Sequence, residues 1–140
     1  VDGLSGVFRH TMDAKGRLSI PSRLVKALGE PFHIFGSSDG CLNVYTDQRW
    51  KQLAEEIEAL PREYVREVRR AIYNNAQDNL KADDHGRVLL EKPLRDHAKL
   101  QKNIVIVGSG SYAEIWDETE YENRPKAEAD VQPRLRELGI

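Results

Sequence analysis

At 140 residues and 16.0 kDa the chain has the size of one compact domain, or of two small half-domains sharing a core. A hydrophobic fraction of 39% beside 31% charged residues excludes wholesale disorder. No apolar run is as long as a membrane span, no charged-then-apolar segment opens the sequence, and the lone Cys41 excludes an intrachain disulfide framework or a cysteine-built zinc cluster.

The composition is that expected in a reducing cytoplasm. A formal net charge of -2 hides an asymmetry. Between positions 9 and 26, Arg9, Lys15, Arg17, Arg23 and Lys26 face only Asp13. Between 114 and 130, Glu114, Asp117, Glu118, Glu120, Glu122, Glu128 and Asp130 face Arg124 and Lys126. A local phosphate-binding surface is therefore compatible with an acidic total.

In chain order, Val7 to Met12 and Leu18 to Ile20 have strand composition. Ala14-Lys15-Gly16 lies between them, and its glycine suits a tight hairpin connection. Pro21-Ser22 opens a short helix that Gly29 ends. A second hairpin pairs Phe32 to Phe35 with Cys41 to Tyr45 across Ser38-Asp39-Gly40. Trp50, Leu53, Ala54, Ile57 and Leu60 then fall at helical spacing, with Asp47 as the expected N-cap. Pro61 interrupts, and Tyr64, Val65, Val68, Ala71 and Ile72 mark a further helix. The pattern fades from Glu122 onward, which predicts a flexible charged tail with one helical turn near Leu135 to Leu138.

The same order of elements occurs twice. Asp13-Ala14-Lys15-Gly16-Arg17-Leu18 returns as Asp83-Asp84-His85-Gly86-Arg87-Val88. Leu24 has a counterpart in Leu94, and Phe32 to Phe35 in Ile104 to Val107. The turn at Gly36 to Gly40 matches Gly108 to Gly110, and Asn43-Val44-Tyr45 matches Glu114-Ile115-Trp116. Each copy is too small to bury its apolar face alone, so an α+β fold with a shared core is expected. The predicted organisation is a first module over 6–50, a helical connector over 51–76, a second module over 77–121 and the tail over 122–140.

These residues carry a resemblance. Asp13-Ala-Lys-Gly-Arg17-Leu-Ser-Ile-Pro21, the second Asp83-x-x-Gly-Arg87 and Glu114-Ile115-Trp116-Asp117 resemble the MraZ family of bacterial transcriptional regulators, from about Gly6 to Tyr121. The resemblance implies two tandem AbrB-like β-hairpin modules in a pseudo-symmetric barrel of the double-ψ or swapped-hairpin type. It also implies a homo-oligomeric ring, octameric or dodecameric. The implied partner is double-stranded DNA with repeated promoter boxes upstream of the division and cell-wall gene cluster. The implied role is repression of that cluster, including the regulator's own gene, in the cytoplasm at the nucleoid. No cofactor, metal, membrane or small-molecule substrate is expected. Departures from the family pattern are Glu91 where Pro21 stands in the first copy, Ala82 in place of Met12, and the more acidic Asp84-His85 turn.

The chemistry of the turns fits that expectation. Lys15 offers a point charge to a phosphate, and Arg17 a planar fork for phosphate or for the O6 and N7 edge of guanine. Lys15, Arg17, His85 and Arg87 are the expected DNA contacts. Asp13, Gly16, Asp83 and Gly86 are expected to order the turns. The competing reading makes Asp13 with Arg17, and Asp83 with Arg87, ion pairs that merely close two hairpins. Because Asp84 opposes phosphate, the first turn is expected to contribute more.

Arg9 and Arg23 are further candidates for the DNA rim, with solvated surface charge the favoured reading, and Arg62, Arg66, Arg69 and Arg70 read as a mixed solvated face with Glu63 and Glu67. Phe8, Tyr45, Trp50, Tyr73 and Trp116 are candidates for core or subunit contacts. Cys41 has no histidine and carboxylate pattern around it. Asp83, Asp84, His85 and His97 fit no ligand spacing, and Gly108-Ser109-Gly110 leads into a strand rather than a helix. No enzyme is expected. The other classes weighed are an AbrB-like antitoxin and a protein-interaction scaffold.

Overall fold

A computed structural model describes residues 3–127 and 129–140. The first copy contains β1 (Leu4–Thr11), β2 (Arg17–Ser19), α1 (Ser22–Leu28), β3 (Phe32–Gly36), β4 (Leu42–Thr46) and α2 (Asp47–Glu58). After α3 (Arg62–Tyr73) the order returns as β5 (Ala76–Leu80), β6 (Arg87–Leu89), α4 (Lys92–His97), β7 (Asn103–Gly110), β8 (Tyr112–Asp117) and α5 (Glu118–Glu122). A last helix, α6 (Gln132–Glu137), lies where one helical turn is expected.

The two copies exchange strands. The main sheet is antiparallel and six-stranded, in the order β1-β7-β8-β4-β3-β5. The opening strand of each copy therefore pairs with the other copy: β1 runs along β7 with Val7 opposite Val107, and β5 joins β3 with Ala76 opposite Phe35. The centre of the sheet is the β4–β8 pair, where Leu42 meets Ile115 and Val44 meets Ala113. Hydrogen bonds do not close this sheet on itself.

The expected hairpin of β1 with β2 within one copy is thereby corrected. Among the described residues a single isolated bridge remains of it, from Met12, just past the end of β1, to Leu18. Instead β2 pairs with β6 in a separate two-stranded ribbon, with Leu18 opposite Val88. Three residues cannot make a stable sheet edge alone. Pairing the two short strands puts both central apolar side chains into one core.

That core is continuous across both copies. Leu18, Leu24, Phe32, Ile34 and Leu42 from the first copy cluster with Leu90, Leu94, Ile104, Ile106 and Ile115 from the second. Full burial of side chains this size stabilises by about 2 kcal/mol each, which neither copy could recover alone. Alternation along β3 divides its side chains between two faces. Phe32 and Ile34 enter the shared core. His33 and Phe35 face α2, where His33 stacks on Trp50 at 4.9 Å and Phe35 meets the same ring at 5.4 Å.

Tyr45 and Trp116 are buried within the chain, whereas Tyr73 is 39% exposed. Asp47 is not the N-cap of α2. Thr46 takes that place and accepts from the Arg49 N–H at 3.1 Å. The Asp47 carboxylate is instead drawn to His33 Nε2 at 2.9 Å and Lys51 Nζ at 3.1 Å.

Gly108 shows how tightly β1 lies on β7. A Cβ there would fall 2.5 Å from the Leu4 carbonyl carbon and the Ser5 Cα, both backbone atoms of β1. Gly108→Ala should therefore destabilise the fold by about 2–3 kcal/mol, because no rotamer can relieve a backbone collision. Urea unfolding monitored by tryptophan fluorescence checks this.

Candidate nucleic-acid interface

The repeated turns are built by the same bonds. In the first, Asp13 Oδ1 accepts from the N–H groups of Lys15 and Arg17, both at 2.9 Å. Asp13 Oδ2 accepts from Arg17 Nε at 2.7 Å. The Gly16 N–H donates to the Asp13 carbonyl at 3.0 Å, and Gly16 has φ 88, in the left-handed region that favours glycine. In the second, Asp83 Oδ1 accepts from His85 and Arg87 N–H groups, both at 2.9 Å, and Oδ2 accepts from Arg87 Nε at 3.1 Å.

The glycines also lock the copies together. Leu90 donates to the Gly16 carbonyl and Ile20 to the Gly86 carbonyl, each at 2.9 Å. Each turn is thus seated on the other copy's ribbon strand end.

Ribbon register sets where the arginines point. Leu18 and Val88 are opposite one another and buried, so the alternation puts Arg17, Ser19, Arg87 and Leu89 on the outer face. Leu89 is 51% exposed there. Lys15 and His85 stand exposed at the crests of the two turns.

Ion pairing and outward contact, weighed as alternatives from sequence, are compatible in this geometry. Each arginine uses Nε on its aspartate, and both Nη groups have no hydrogen-bond partner among the described residues. The aspartate fixes the fork and leaves its charged end available.

The Asp13 carboxyl is held below the usual carboxylate range, chiefly by the backbone N–H of Arg17. Partial desolvation works against this, and the Arg17 side chain and the Lys15 N–H assist it. Asp83 is lowered in the same way, with the Arg87 backbone N–H as the largest cause.

Other cations are engaged elsewhere. Arg9 pairs with Glu118 at 3.2 Å, and Arg23 donates to the Ser5 carbonyl at 3.0 Å while lying over the Phe8 ring. Both candidates for a rim are thus held by contacts within the chain. Arg69 pairs with Glu58 and Arg70 with Glu67, which makes α3 a mixed charged face. Cys41 is buried, and that burial, reinforced by Glu114, pushes its thiol up to about 12. No group of three or more His, Cys, Asp or Glu able to hold a metal ion occurs among the described residues.

One residue near the first turn escaped the sequence reading. Arg95 of α4 lies against Gly16, its Nε 3.2 Å from where a Cβ on that glycine would be. It belongs to the other copy, so spacing around Lys15 and Arg17 gives no hint of it. The available signal was its replacement by Val25 at the matching position of the first copy.

Comparison with known proteins agrees with this duplicated architecture. The family described as "MraZ protein, putative antitoxin-like" matches residues 4–70 and 73–131. The chain belongs to the MraZ family. A relative from Heliobacterium modesticaldum, named transcriptional regulator MraZ, is 42% identical over 113 residues, covering 79% of this chain and 78% of its own. A protein of the same name from Carboxydothermus hydrogenoformans is 42% identical over 120 residues, covering 84% and 83%. Another from Desulfitobacterium hafniense is 39% identical, covering 96% of this chain and 98% of its own. In this MraZ-family chain both repeated turns carry the same Nε–carboxylate bond.

The turn electrostatics make a testable statement. Folded-state lowering means that each aspartate's stabilising contribution is present above the ordinary carboxylate range and is lost as pH falls through the lowered value. Carboxyl-carbon NMR should give Asp13 a midpoint below the ordinary range. Arg17→Gln should leave most of that lowering, because the backbone N–H, its largest cause, remains. A return to the ordinary value would assign the effect to the guanidinium instead.

Proposed function

We propose that the chain is a sequence-specific DNA-binding transcriptional regulator. In this reading it represses the division and cell-wall gene cluster that includes its own gene. The observation that carries the reading is the pair of aspartate-ordered turns holding Arg17 and Arg87 on one outer face, each with both Nη groups uncommitted. The names of the MraZ relatives support it.

Lys15 and Arg17, with His85 and Arg87, meet the duplex. Asp13, Gly16, Asp83 and Gly86 hold the turns in shape. A guanidinium fixed at Nε presents its Nη edge to phosphate, or to guanine O6 and N7 in the major groove. One chain presents few such groups, so affinity comes from a homo-oligomeric ring engaging tandem boxes at fixed spacing. The modules over 6–50 and 77–121 supply one turn each, and the helices over 51–76 join them. No cofactor or catalytic step belongs to this function, and the site of action is the nucleoid.

The turns are unequal. Ala14-Lys15 in the first is replaced by Asp84-His85 in the second, which sets a carboxylate beside the approaching phosphates. A second reading, an antitoxin-like protein that also binds a protein partner, draws support from the family's description.

The test is a titration into a labelled duplex from upstream of the chain's own gene, beside one with its repeats scrambled, at one physiological salt concentration. Tight binding to the native repeats alone is expected. Arg17→Ala should weaken it by roughly tenfold or more for each engaged subunit, and Arg87→Ala by less. Equal binding to both duplexes overturns sequence-specific regulation, and equal losses overturn the ranking of the turns.

A further inference from the structure

Beneath the first turn lies a cleft of about 470 Å³ lined by Met12, Asp13, Ala14, Arg95, Gln101 and Lys102. Arg95 is unusual within it. Its Nε is buried with no hydrogen-bond partner, and no carboxylate lies within 4.0 Å of its guanidinium among the described residues. A half-buried guanidinium without a counter-ion carries an uncompensated desolvation cost, which an external anion would remove. Its Nη groups make no hydrogen bond among the described residues, which leaves them for such an anion. Lys102 is exposed, equally unpaired among the described residues, and held at the cleft by its carbonyl, which accepts from the Met12 N–H at 2.8 Å.

The equivalent cleft under the second turn provides an internal comparison. It is lined by Val25, Lys26, Glu30, Asp83, Asp84 and His85 among others. Aligning the copies puts Val25 where Arg95 stands and Glu30 where Lys102 stands. The first turn and its cleft thus combine Lys15, Arg17, Arg95 and Lys102 against Asp13. The second combines Lys26 and Arg87 against Glu30, Asp83 and Asp84. The fold is duplicated and the charge is not.

We infer that Arg95 and Lys102 form a phosphate-binding subsite for duplex DNA, delivered by the second copy beneath the first copy's turn. The duplex backbone follows the first turn past Arg17 and Lys15 into this cleft. Arg95 takes a phosphate on its Nη groups, and Lys102 takes the same or the next one as a point charge. The second turn has no such subsite. The inference rests on the DNA-binding reading above and adds to it residues outside both signature turns.

The experiment measures anisotropy of a fluorescein-labelled duplex from upstream of the chain's own gene, across a series of potassium chloride concentrations, with the full chain. Arg95→Gln should weaken binding by about tenfold and reduce the log–log salt slope by about 0.9 for each engaged subunit, as loss of one phosphate contact requires. Lys102→Gln should reduce the slope similarly, and Arg95→Lys should preserve it. Lys102 lies on the surface, so its variant decides the matter even if Arg95→Gln fails to fold. Wild-type affinity and slope in Lys102→Gln, with binding lost in Arg17→Ala, overturn the subsite and leave the DNA reading standing. No difference between Arg17→Ala and wild type overturns both.

Discussion

The exchange of opening strands between the two copies is the constraint on which everything else depends. A strand of three residues such as β2 has no independent stability. It becomes structure because β6 completes its ribbon and because Leu18 and Val88 are buried in a core drawn from both halves. The β1–β7 and β3–β5 pairings make the arrangement reciprocal, so neither half can unfold without exposing the apolar face of the other. The glycine carbonyls of the two turns are tied across the same boundary. Turn geometry is thereby coupled to the global fold, and a surface hairpin gains the rigidity of the core beneath it.

Within each turn the aspartate does two jobs with one carboxylate. Oδ1 collects two backbone N–H groups and sets the chain path, while Oδ2 takes the arginine Nε. An isolated exposed ion pair contributes little to stability. Here its value is orientational: a long, rotamer-rich side chain is held by one donor so that its remaining donors need less ordering when a partner arrives. The intrachain pair and the proposed outward contact can therefore belong to the same device. Moving the aspartate by one residue would break both, since the backbone and side-chain bonds converge on the same group.

Much of this was legible because it is local. The duplicated Asp-x-x-Gly-Arg, the helix bounded by Pro21 and Gly29, and the hairpin from Phe32 to Tyr45 are all written in short-range pattern. Strand exchange was not legible from periodicity, since the apolar spacing of β1 suits β7 as well as β2. The α2 cap moved one residue because His33, distant in sequence, competes for the Asp47 carboxylate. Nothing near Arg9 and Arg23 in sequence points to the Glu118 and Ser5 that folding brings beside them. Arg95 is the same lesson in reverse: its neighbourhood is created by the other copy.

Duplication followed by divergence explains the surviving asymmetry. Core positions must match between copies, because Leu24 and Leu94 occupy equivalent places in one cluster. Surface positions beside the turns carry no such demand. Lys15 is matched by His85, while Val25 and Glu30 match Arg95 and Lys102. A pseudo-symmetric body thus presents two similar turn shapes with different local charge. Under the proposed DNA-binding role the first turn would be the stronger electrostatic anchor, because phosphate attraction accumulates with each available cation while turn shape alone adds none.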